Sequence, residues 1–298
     1  MAELEASEQW MVSLHGGHSG DYCLHGADTL REMVDAAVRA GFTTFGVTAH
    51  APRSAARFLY EEEIDAGYGP DDVARNFDEY AAVCAGMVAE YADRLEVLCG
   101  AEIEVVPESS YADEAAVLRG RHGLDYLVGS VHWVDEMPID TSAEDFEGAV
   151  AARGGLEPFV LRYYELAGVM VEMARPEVIG HLDLPRLYAE GAPELESKPV
   201  RRAVGSVLER ALAAGSILEV NVRAEEKGLA TPYPAPWIVR LASEIGVPFC
   251  FGDDSHSAGQ VGAGLEAGRE YLLSLGVDTI RKLTRTGEAV VKLEVPLV

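Results

Sequence analysis

Residues 29–50, TLREMVDAAVRAGFTTFGVTAH, decide the fold because they place a helix directly before a strand. Residues 29–40 have the hydrophobic period of a helix. Asp28 is the predicted N-cap of this helix, and Gly41 follows its end as a helix-terminating glycine does. Residues 43–48 then form a short run rich in Thr, Phe and Val, which is typical of a strand. This predicted strand leads into His50, a residue that can bind metal.

The same alternation of short β-branched runs with longer helical segments continues along the chain. It is typical of a parallel β/α protein. The predicted strands cover residues 11–14, 43–48, 95–99, 126–129, 177–179, 216–220 and 247–251. The predicted helices cover residues 29–40, 72–92, 112–118, 157–173, 200–213, 236–245 and 262–275. Seven strands, each followed by a helix, indicate an α/β barrel, with all 298 residues in one domain and residues 1–10 as an N-terminal extension.

Residues suited to metal binding follow the predicted strands. In chain order they are His15, His18 and His25, then His50, Glu102, His132, His181, Asp183, Asn221, Asp253, Asp254 and His256. The carboxyl ends of barrel strands open onto one face, so we expect these side chains to converge. A single histidine beside a strand is more often structural than a ligand. Seven of the eight histidines lie at strand ends, however, and only His122 falls elsewhere, which indicates a shared site.

The residue types at this face point to a particular chemistry. Imidazole and carboxylate ligands together suit Zn, Fe or Mn, whereas Mg and Ca sites are nearly all oxygen. The candidate imidazoles exceed the three or four ligands that one zinc ion needs, so two or three divalent metal ions are expected. Clustered ions stabilise the attacking and leaving oxygens of phosphoryl transfer. The sequence therefore predicts hydrolysis of a phosphate ester.

The composition limits the partners of the protein. The chain has 24 Lys+Arg against 50 Asp+Glu and a formal net charge of -26, which argues against binding to nucleic acid. No signal-like or membrane-length apolar segment is present, so we expect no membrane partner and a cytoplasmic location. The four cysteines, Cys23, Cys84, Cys99 and Cys250, form no CxxC pair and are expected to be reduced thiols. A homo-oligomer is left open.

Seven motifs together resemble those of the histidinol-phosphate phosphatases of the polymerase-and-histidinol-phosphatase (PHP) superfamily. The motifs are HSGDYCLHG (18–26), VTAHAPR (47–53), GAEIE (100–104), VGSVHWV (128–134), IGHLDLPR (179–186), EVN with YP (219–234) and GDDSH (252–256). One such motif would be weak, but seven in this order and spacing are specific. The resemblance implies a distorted (β/α)7 TIM-like barrel of the PHP type and hydrolysis of L-histidinol phosphate in histidine biosynthesis.

The resemblance also implies a trinuclear metal centre. His18 and Asp254 would hold the first ion, and Glu102 would bridge it to the second. The remaining implied ligands are His132 and His181 for the second ion, and His25, His50 and His256 for the third. The implied catalytic residues are Glu102, Asp254 and His256. A metal-bridging hydroxide would attack phosphorus.

The first motif departs from the family pattern. The family usually has an HxH pair whose first member would fall at Gly16, whereas this chain has His15-Gly-Gly-His18. Either His15 takes that role through a shifted strand end, or one metal ion loses a ligand. The glycine pair gives the backbone the freedom for the first outcome, so His15 is retained as a predicted ligand.

Positively charged side chains on the strand-end loops are candidates for phosphate binding. Arg53 and Arg186 are predicted to bind phosphate, because arginine can bind it with two parallel hydrogen bonds. The alternative for each is a surface salt bridge. Arg223 and Lys227 are weaker candidates, for which a role as solvated loop charges is equally favoured.

Two features of the function stay open at the level of the sequence. An acidic rim near Glu104 or Asp183 would select the amine of histidinol. The substrate could instead be another small phosphomonoester hydrolysed by a PHP phosphoesterase. A third interpretation, a catalytically idle metal-binding module, is supported by the missing histidine at Gly16.

Overall fold

Helices alternate with strands in the computed structural model, which describes residues 9–287 and 289–298. The helices are α1 (Leu30–Ala40), α2 (Glu61–Asp65), α3 (Pro70–Tyr91), α4 (Tyr111–His122), α5 (Ala143–Ala152), α6 (Leu156–Met173), α7 (Arg186–Ala189), α8 (Lys198–Ala214), α9 (Pro236–Ile245) and α10 (Leu265–Ser274). The strands are β1 (Val12–Ser13), β2 (Thr44–His50), β3 (Glu96–Glu104), β4 (Tyr126–Ser130), β5 (Trp133–Val134), β6 (Met137–Pro138), β7 (Val178–Ile179), β8 (Ile217–Asn221), β9 (Phe249–Gly252), β10 (Thr279–Thr286) and β11 (Ala289–Pro296).

Within the described residues, seven parallel strands form one sheet in the order β1-β2-β3-β4-β7-β8-β9. The two edge strands of this sheet approach each other. The N–H of Leu14 donates to the carbonyl of Phe251 at 2.9 Å, and the N–H of Asp254 donates to the carbonyl of His15 at 2.7 Å. The sheet is therefore a nearly closed barrel with helices outside, and the predicted seven-stranded TIM-like barrel is confirmed.

The barrel interior is apolar at the end where the strands begin. Its buried cluster consists of Val12, Leu14, Leu98, Tyr126, Val128, Val178, Ile217, Cys250 and Leu283. The hydroxyl of Tyr126 crosses the interior and donates to the carbonyl of Leu14 at 2.8 Å. A larger apolar cluster fills the layer between the strands and the surrounding helices. Burial of these side chains supplies the main favourable term of folding.

An antiparallel hairpin, β10–β11, closes the same end of the barrel. Leu283 of the hairpin belongs to the interior cluster. Thr284 donates to Glu96 at 2.7 Å and Arg285 to Asp125 at 2.8 Å, and both acceptors lie where barrel strands begin. The hairpin lies beyond residue 275, where the sequence predicts no element. Since this end is covered, the opposite end is left for a functional site.

Helix α1 begins one residue later than predicted. Its N-cap is Thr29, not Asp28, because Thr29 and Glu32 form a reciprocal capping box. Asp28 instead accepts a hydrogen bond from the N–H of Ala258 at 2.7 Å and so fixes the loop after β9. Gly41 has a left-handed φ of 84° at the helix end, which confirms the predicted stop.

The expectation of four reduced cysteines is wrong for one pair. Cys84 of α3 and Cys99 of β3 form a disulfide, with Cα atoms 5.9 Å apart. The two residues share no motif, and they meet because α3 packs against the strand that follows it. Cys23 and Cys250 are free thiols.

The start of the chain is described only in part. Residues 1–8 of the predicted N-terminal extension lie outside the described residues. Trp10, at the end of that extension, is buried in the outer core. Among the residues that the structure describes, no helix combines the length and apolar character needed to cross a membrane.

Candidate metal centre

The strand-end histidines converge where the barrel strands finish, as predicted. His50 ends β2 and lies beside Glu102 of β3 in the sheet register, and Ser130 ends β4 beside Glu104. His122 is the exception, as the sequence predicts. It ends α4 and lies 3.1 Å from the carboxylate of Asp78. The convergence brings the other seven histidines to one end of the barrel.

Glu102 lies at the middle of the cluster, and only 1% of its surface is exposed. Its Oε2 atom lies within 3.4 Å of ring nitrogens of three histidines: His15, His18 and His50. Its Oε1 atom faces two others, with distances of 3.2 Å to His181 and 3.5 Å to His132. Ser130 donates to the same Oε1 at 2.6 Å and fixes the carboxylate. One carboxylate thus faces two separate sets of imidazoles.

Three of the histidines have a carboxylate at Nδ1, which leaves Nε2 as a potential donor atom to metal. The pairs are His15 with Glu219 at 2.9 Å, His132 with Glu104 at 2.9 Å, and His25 with Glu62 at 3.1 Å. A carboxylate at one ring nitrogen fixes the tautomer and makes the other nitrogen a better ligand. This outer set of carboxylates is typical of metal-binding histidines.

Several donor atoms of the cluster lack partners. His15 Nε2, His18 Nδ1 and His50 Nδ1 are buried and have no hydrogen-bond partner among the described residues. Unpaired buried nitrogen atoms are costly and therefore rare in native proteins. Divalent metal ions would satisfy them, and the mixture of imidazole and carboxylate donors fits Zn, Fe or Mn.

The electrostatic environment also suits metal binding. Burial alone would raise the pKa of Glu102, but neighbouring imidazoles, first that of His15, outweigh burial and hold the pKa well below its usual range. Burial and the imidazole of His18 lower the pKa of His50 well below its usual value. The same two causes lower the pKa of His256 to about 3.

An ionised carboxylate and neutral imidazoles are the forms that bind metal. Despite burial, neighbouring carboxylates raise the pKa of His15 well above its usual value and that of His132 to about 9, and Cys23 and Glu62 raise the pKa of His25 to about 10. Metal binding must therefore displace a proton from these three rings.

Four groups of side chains have potential ligand atoms within 4.8 Å of one another. The groups are His15–His18–Asp254, His15–Glu102–His181, His50–Glu104–His132 and His18–Cys23–His25–His50. His18 and Asp254 therefore share a group, as the resemblance implies, and so do His25 and His50. His256 belongs to none of these groups among the described residues. Its ring lies 5.0 Å from the ring of His18 and 5.0 Å from that of His25.

The first motif leaves no space for a side chain at either of its two glycines. A Cβ at Gly16 would lie 2.6 Å from the carbonyl of Gly46, and one at Gly17 would lie 1.8 Å from that of Ser255. Gly17 also has a positive φ of 84°, which disfavours any side chain. His15 is fully buried instead, and its ring points into the cluster. This geometry favours His15 as the ligand that replaces a histidine at position 16.

Neither of the two stronger arginine candidates lines the histidine cavity. Arg53 is buried and ion-paired with Glu104 at 2.9 Å and with Glu63. Arg186 lies 3.3 Å from Asp183, and its remaining donors are used by nearby loop residues. Their predicted role as phosphate ligands is therefore not supported, since both guanidinium groups are already neutralised elsewhere. The position of a residue after a strand predicts the loop in which it lies, but it does not predict the direction in which its side chain points.

The two weaker candidates lie closer to the centre. Arg223 donates to the backbone carbonyl of Asp254 at 2.7 Å and to Gln260 at 3.2 Å. It therefore holds the loop that carries Asp254, whose own φ of 44° is unusual for a residue other than glycine. Lys227 is exposed and lines the cavity, where its ammonium group can meet an anionic ligand.

The cavity over the cluster has a volume of about 350 Å³. Its acidic wall comes from Glu61, Glu62 and Asp140. Glu104 and Asp183, the residues predicted for an acidic rim, are instead buried. The carboxylate of Glu104 contacts His132, and that of Asp183 accepts a hydrogen bond from the N–H of Ala235 outside this cavity. The acidic side chains at this cavity are therefore not the two that the sequence analysis predicted.

Glu219 of β8 is the main functional candidate that the sequence reasoning missed. It is fully buried and accepts from the backbone N–H of His181 at 2.6 Å as well as contacting His15. Gly252 of β9 makes room for it, because a Cβ there would lie 1.8 Å from Glu219 Oε1. The signal was available: a lone carboxylate within the apolar strand run ILEV is rarely buried without partners.

Comparisons with known proteins agree with this geometry. The PHP domain family model matches residues 15–223 of the chain. The chain is 35% identical over 274 residues to a probable histidinol-phosphatase of Schizosaccharomyces pombe, covering 90% of this chain and 88% of that protein. It is 29% identical over 294 residues to the histidinol-phosphatase of Saccharomyces cerevisiae, covering 88% of each.

Solved structures show the same architecture. A histidinol phosphatase from Listeria monocytogenes superposes with a TM-score of 0.75 at 26% identity, covering 86% of this chain and 99% of that one. The Lactococcus lactis histidinol phosphate phosphatase, solved with zinc, L-histidinol and phosphate, has a TM-score of 0.71 at 17% identity, covering 95% and 99%. Because the family match extends over 209 residues, from His15 to Arg223, this chain belongs to the PHP domain family.

Proposed function

We propose that this protein hydrolyses L-histidinol phosphate to L-histidinol and inorganic phosphate, with two or three divalent metal ions at the strand-end centre. The observation that carries the proposal is the position of Glu102, whose two oxygens face separate sets of imidazoles. A carboxylate that bridges two metal ions needs this arrangement. The relatives named histidinol-phosphatases, one of them 35% identical, support the choice of substrate.

The proposed ligands share an inward-facing donor atom at the end of a barrel strand. They are His15, His18, His25, His50, Glu102, His132, His181, Asp254 and His256. Divalent ions bound there would neutralise the phosphate and lower the pKa of a bound water to near neutrality. Zinc is the ion bound by the Lactococcus lactis protein, and Fe and Mn suit the same donors.

The residues around the centre have separate tasks in this proposal. Arg223 holds the loop of Asp254 through the backbone carbonyl and thereby fixes the direction of the Asp254 carboxylate. Among the residues that the structure describes, Lys227 is the lysine whose side chain lines the cavity, and we assign it to the phosphate. The acidic wall attracts the positively charged amine of histidinol. Because the chain has a net charge of -26, the phosphate end must be bound by such local positive charge.

The test is phosphate release from L-histidinol phosphate by the purified, metal-loaded protein. We expect release that a chelator abolishes and that Zn or Mn restores. Asp254→Ala should remove the activity, since it deletes a carboxylate from the ligand group of His15 and His18. Asp93→Ala, at an exposed carboxylate just before the start of β3 and so at the opposite end of that strand from Glu102, is the matched control and should keep full activity. Metal-loaded protein that releases no phosphate contradicts the proposal.

A second candidate substrate is another small phosphomonoester, such as a nucleotide or a sugar phosphate. The acidic wall disfavours it, because Glu61, Glu62 and Asp140 would repel a ligand that lacks a positive group. A panel of substrates compared by kcat/KM separates the two. A histidinol-phosphatase should favour its substrate by orders of magnitude.

The catalytically idle module makes a different prediction about metal content. A protein that has lost its chemistry through the missing histidine at position 16 should bind fewer than about two metal ions per chain. The position of His15 argues against this interpretation. Elemental analysis of the purified protein decides between them.

A further inference from the structure

Cys23 lies inside the cluster of histidines, although no sequence pattern assigns it a role. Its Sγ atom is 3.0 Å from Nε2 and 3.3 Å from Nδ1 of His25. The ligand atoms of Cys23, His18, His25 and His50 all lie within 4.8 Å of one another. Tetrahedral zinc with bonds of about 2.3 Å to sulfur and 2.0 Å to nitrogen separates sulfur from nitrogen by about 3.5 Å and two nitrogens by about 3.3 Å. Small side-chain movements therefore suffice to place one ion among the four.

The backbone holds Cys23 in this position. Its N–H donates to the carbonyl of Ser19 at 3.0 Å, and its own carbonyl accepts from the N–H of Gly26 at 2.9 Å. These two bonds close a tight turn between His18 and His25. The backbone of Cys23 is thus fixed before any ion binds, and only rotation of its side chain about χ1 is left to be ordered by metal binding.

A second observation points to a ligand at the same place. His18 is 1% exposed, and its Nδ1 has no hydrogen-bond partner among the described residues. The carboxylate of Glu62 lies 3.1 Å from Nδ1 of His25, on the side of the ring away from Nε2. A ring nitrogen without a partner, as in His18, and an imidazole oriented by a carboxylate, as in His25, are both features expected around a bound cation.

We infer that Cys23 is a sulfur ligand of the metal ion held by His25 and His50. The inference rests on the metal centre of the proposed function and adds a ligand to it. On binding, the thiol proton passes to solvent as the sulfur–metal bond forms. A thiolate favours zinc and other softer ions over Mn, which prefers oxygen ligands. This one position should therefore discriminate between metals more strongly than the positions built from imidazole and carboxylate alone.

The other cysteines do not compete for this role. Cys84 and Cys99 are joined in a disulfide, and Cys250 is buried in the apolar interior at the far end of the barrel. A sulfur signal from a bound metal ion can therefore be assigned to Cys23.

The test is the absorption spectrum of the cobalt(II)-substituted protein. Wild type should have an intense near-ultraviolet band from sulfur-to-cobalt charge transfer in addition to the weaker visible bands of bound cobalt. Cys23→Ser should lose the ultraviolet band and keep the visible ones, which also shows that the variant folds. Cys250→Ser is the matched control and should retain both. The zinc affinity of the weakest site in Cys23→Ser should fall at least about 10- to 100-fold, the cost of losing even an outer-shell partner.

The outcomes separate the two proposals. Cobalt bound without a sulfur band, or a band that persists in Cys23→Ser, overturns the sulfur ligand and leaves the phosphatase proposal in place. A protein that binds no cobalt at all overturns both.

Discussion

Replacement of the buried carboxylate Glu219 by glutamine tests how the metal centre is positioned. Its Oε1 contacts Nδ1 of His15 at 2.9 Å, and its Oε2 accepts from the backbone N–H of His181 at 2.6 Å. Glutamine has one acceptor oxygen where glutamate has two. If its NH₂ group faces His181, two donors meet. If the NH₂ group faces His15, the proton of His15 moves to Nε2, the nitrogen that faces Glu102.

Either orientation weakens the centre by an amount that can be bounded. Loss of an outer-shell partner of a metal-bound histidine typically costs about 10- to 100-fold in metal affinity or activity. This corresponds to about 1.4–2.7 kcal/mol of binding free energy. A buried donor left without an acceptor costs a further 1–3 kcal/mol or so of folding stability. We therefore expect Glu219→Gln to bind metal more weakly and to unfold more easily when metal-free.

The assay is zinc affinity by competition with a chelator, with kcat/KM measured at saturating metal. Glu177→Gln is the matched control, because Glu177 also accepts from a backbone N–H, that of Leu127 at 3.0 Å, but lies where β7 begins. It should lose stability and keep its metal affinity. If Glu219→Gln binds zinc as tightly as Glu177→Gln does, the positioning role of Glu219 is refuted.

Three further changes test separate parts of the account. Lys227→Ala should raise KM for L-histidinol phosphate roughly tenfold with little change in kcat. Lys198→Ala, on α8, is the control and should leave KM unchanged. Equal steady-state constants for the two variants would contradict the role of Lys227. Arg223→Ala should lower kcat/KM, because it removes the hydrogen bond that holds the Asp254 loop. An unchanged kcat/KM would show that the loop keeps its position without Arg223. Cys84→Ser removes the disulfide to Cys99, 15 residues along the chain, and should lower the free energy of unfolding by about 3 kcal/mol in urea titrations while activity persists. An unchanged unfolding midpoint would rule out the disulfide in solution.

Hydrophobic period and strand-end chemistry predict the barrel from the sequence. The predicted helix 236–245 coincides with α9, and each predicted barrel strand overlaps an observed one. These elements have strong periodic patterns and clear terminal signals. The C-terminal hairpin is not predicted, since its outer strand, β11, is largely exposed and lacks the buried alternation of a core strand. The short α2 and α7 are too brief to give a periodic signal.

The candidate site is predictable in its residue types and less so in its side-chain directions. A histidine after a strand must lie near the open end of the barrel, so the convergence on Glu102 follows from topology. The directions of Arg53 and Arg186 do not follow, because local ion pairs decide them. The contacts of Cys23 likewise depend on a turn that no single-sequence pattern specifies.

The central claim is that Glu102 bridges metal ions within the cluster of seven histidines, and anomalous diffraction tests it most directly. Crystals grown with zinc and phosphate would be measured on both sides of the zinc absorption edge. The account predicts two or three zinc peaks in the cavity, with two of them on opposite oxygens of Glu102 and phosphate beside them. A single peak, or peaks that avoid Glu102, would contradict it.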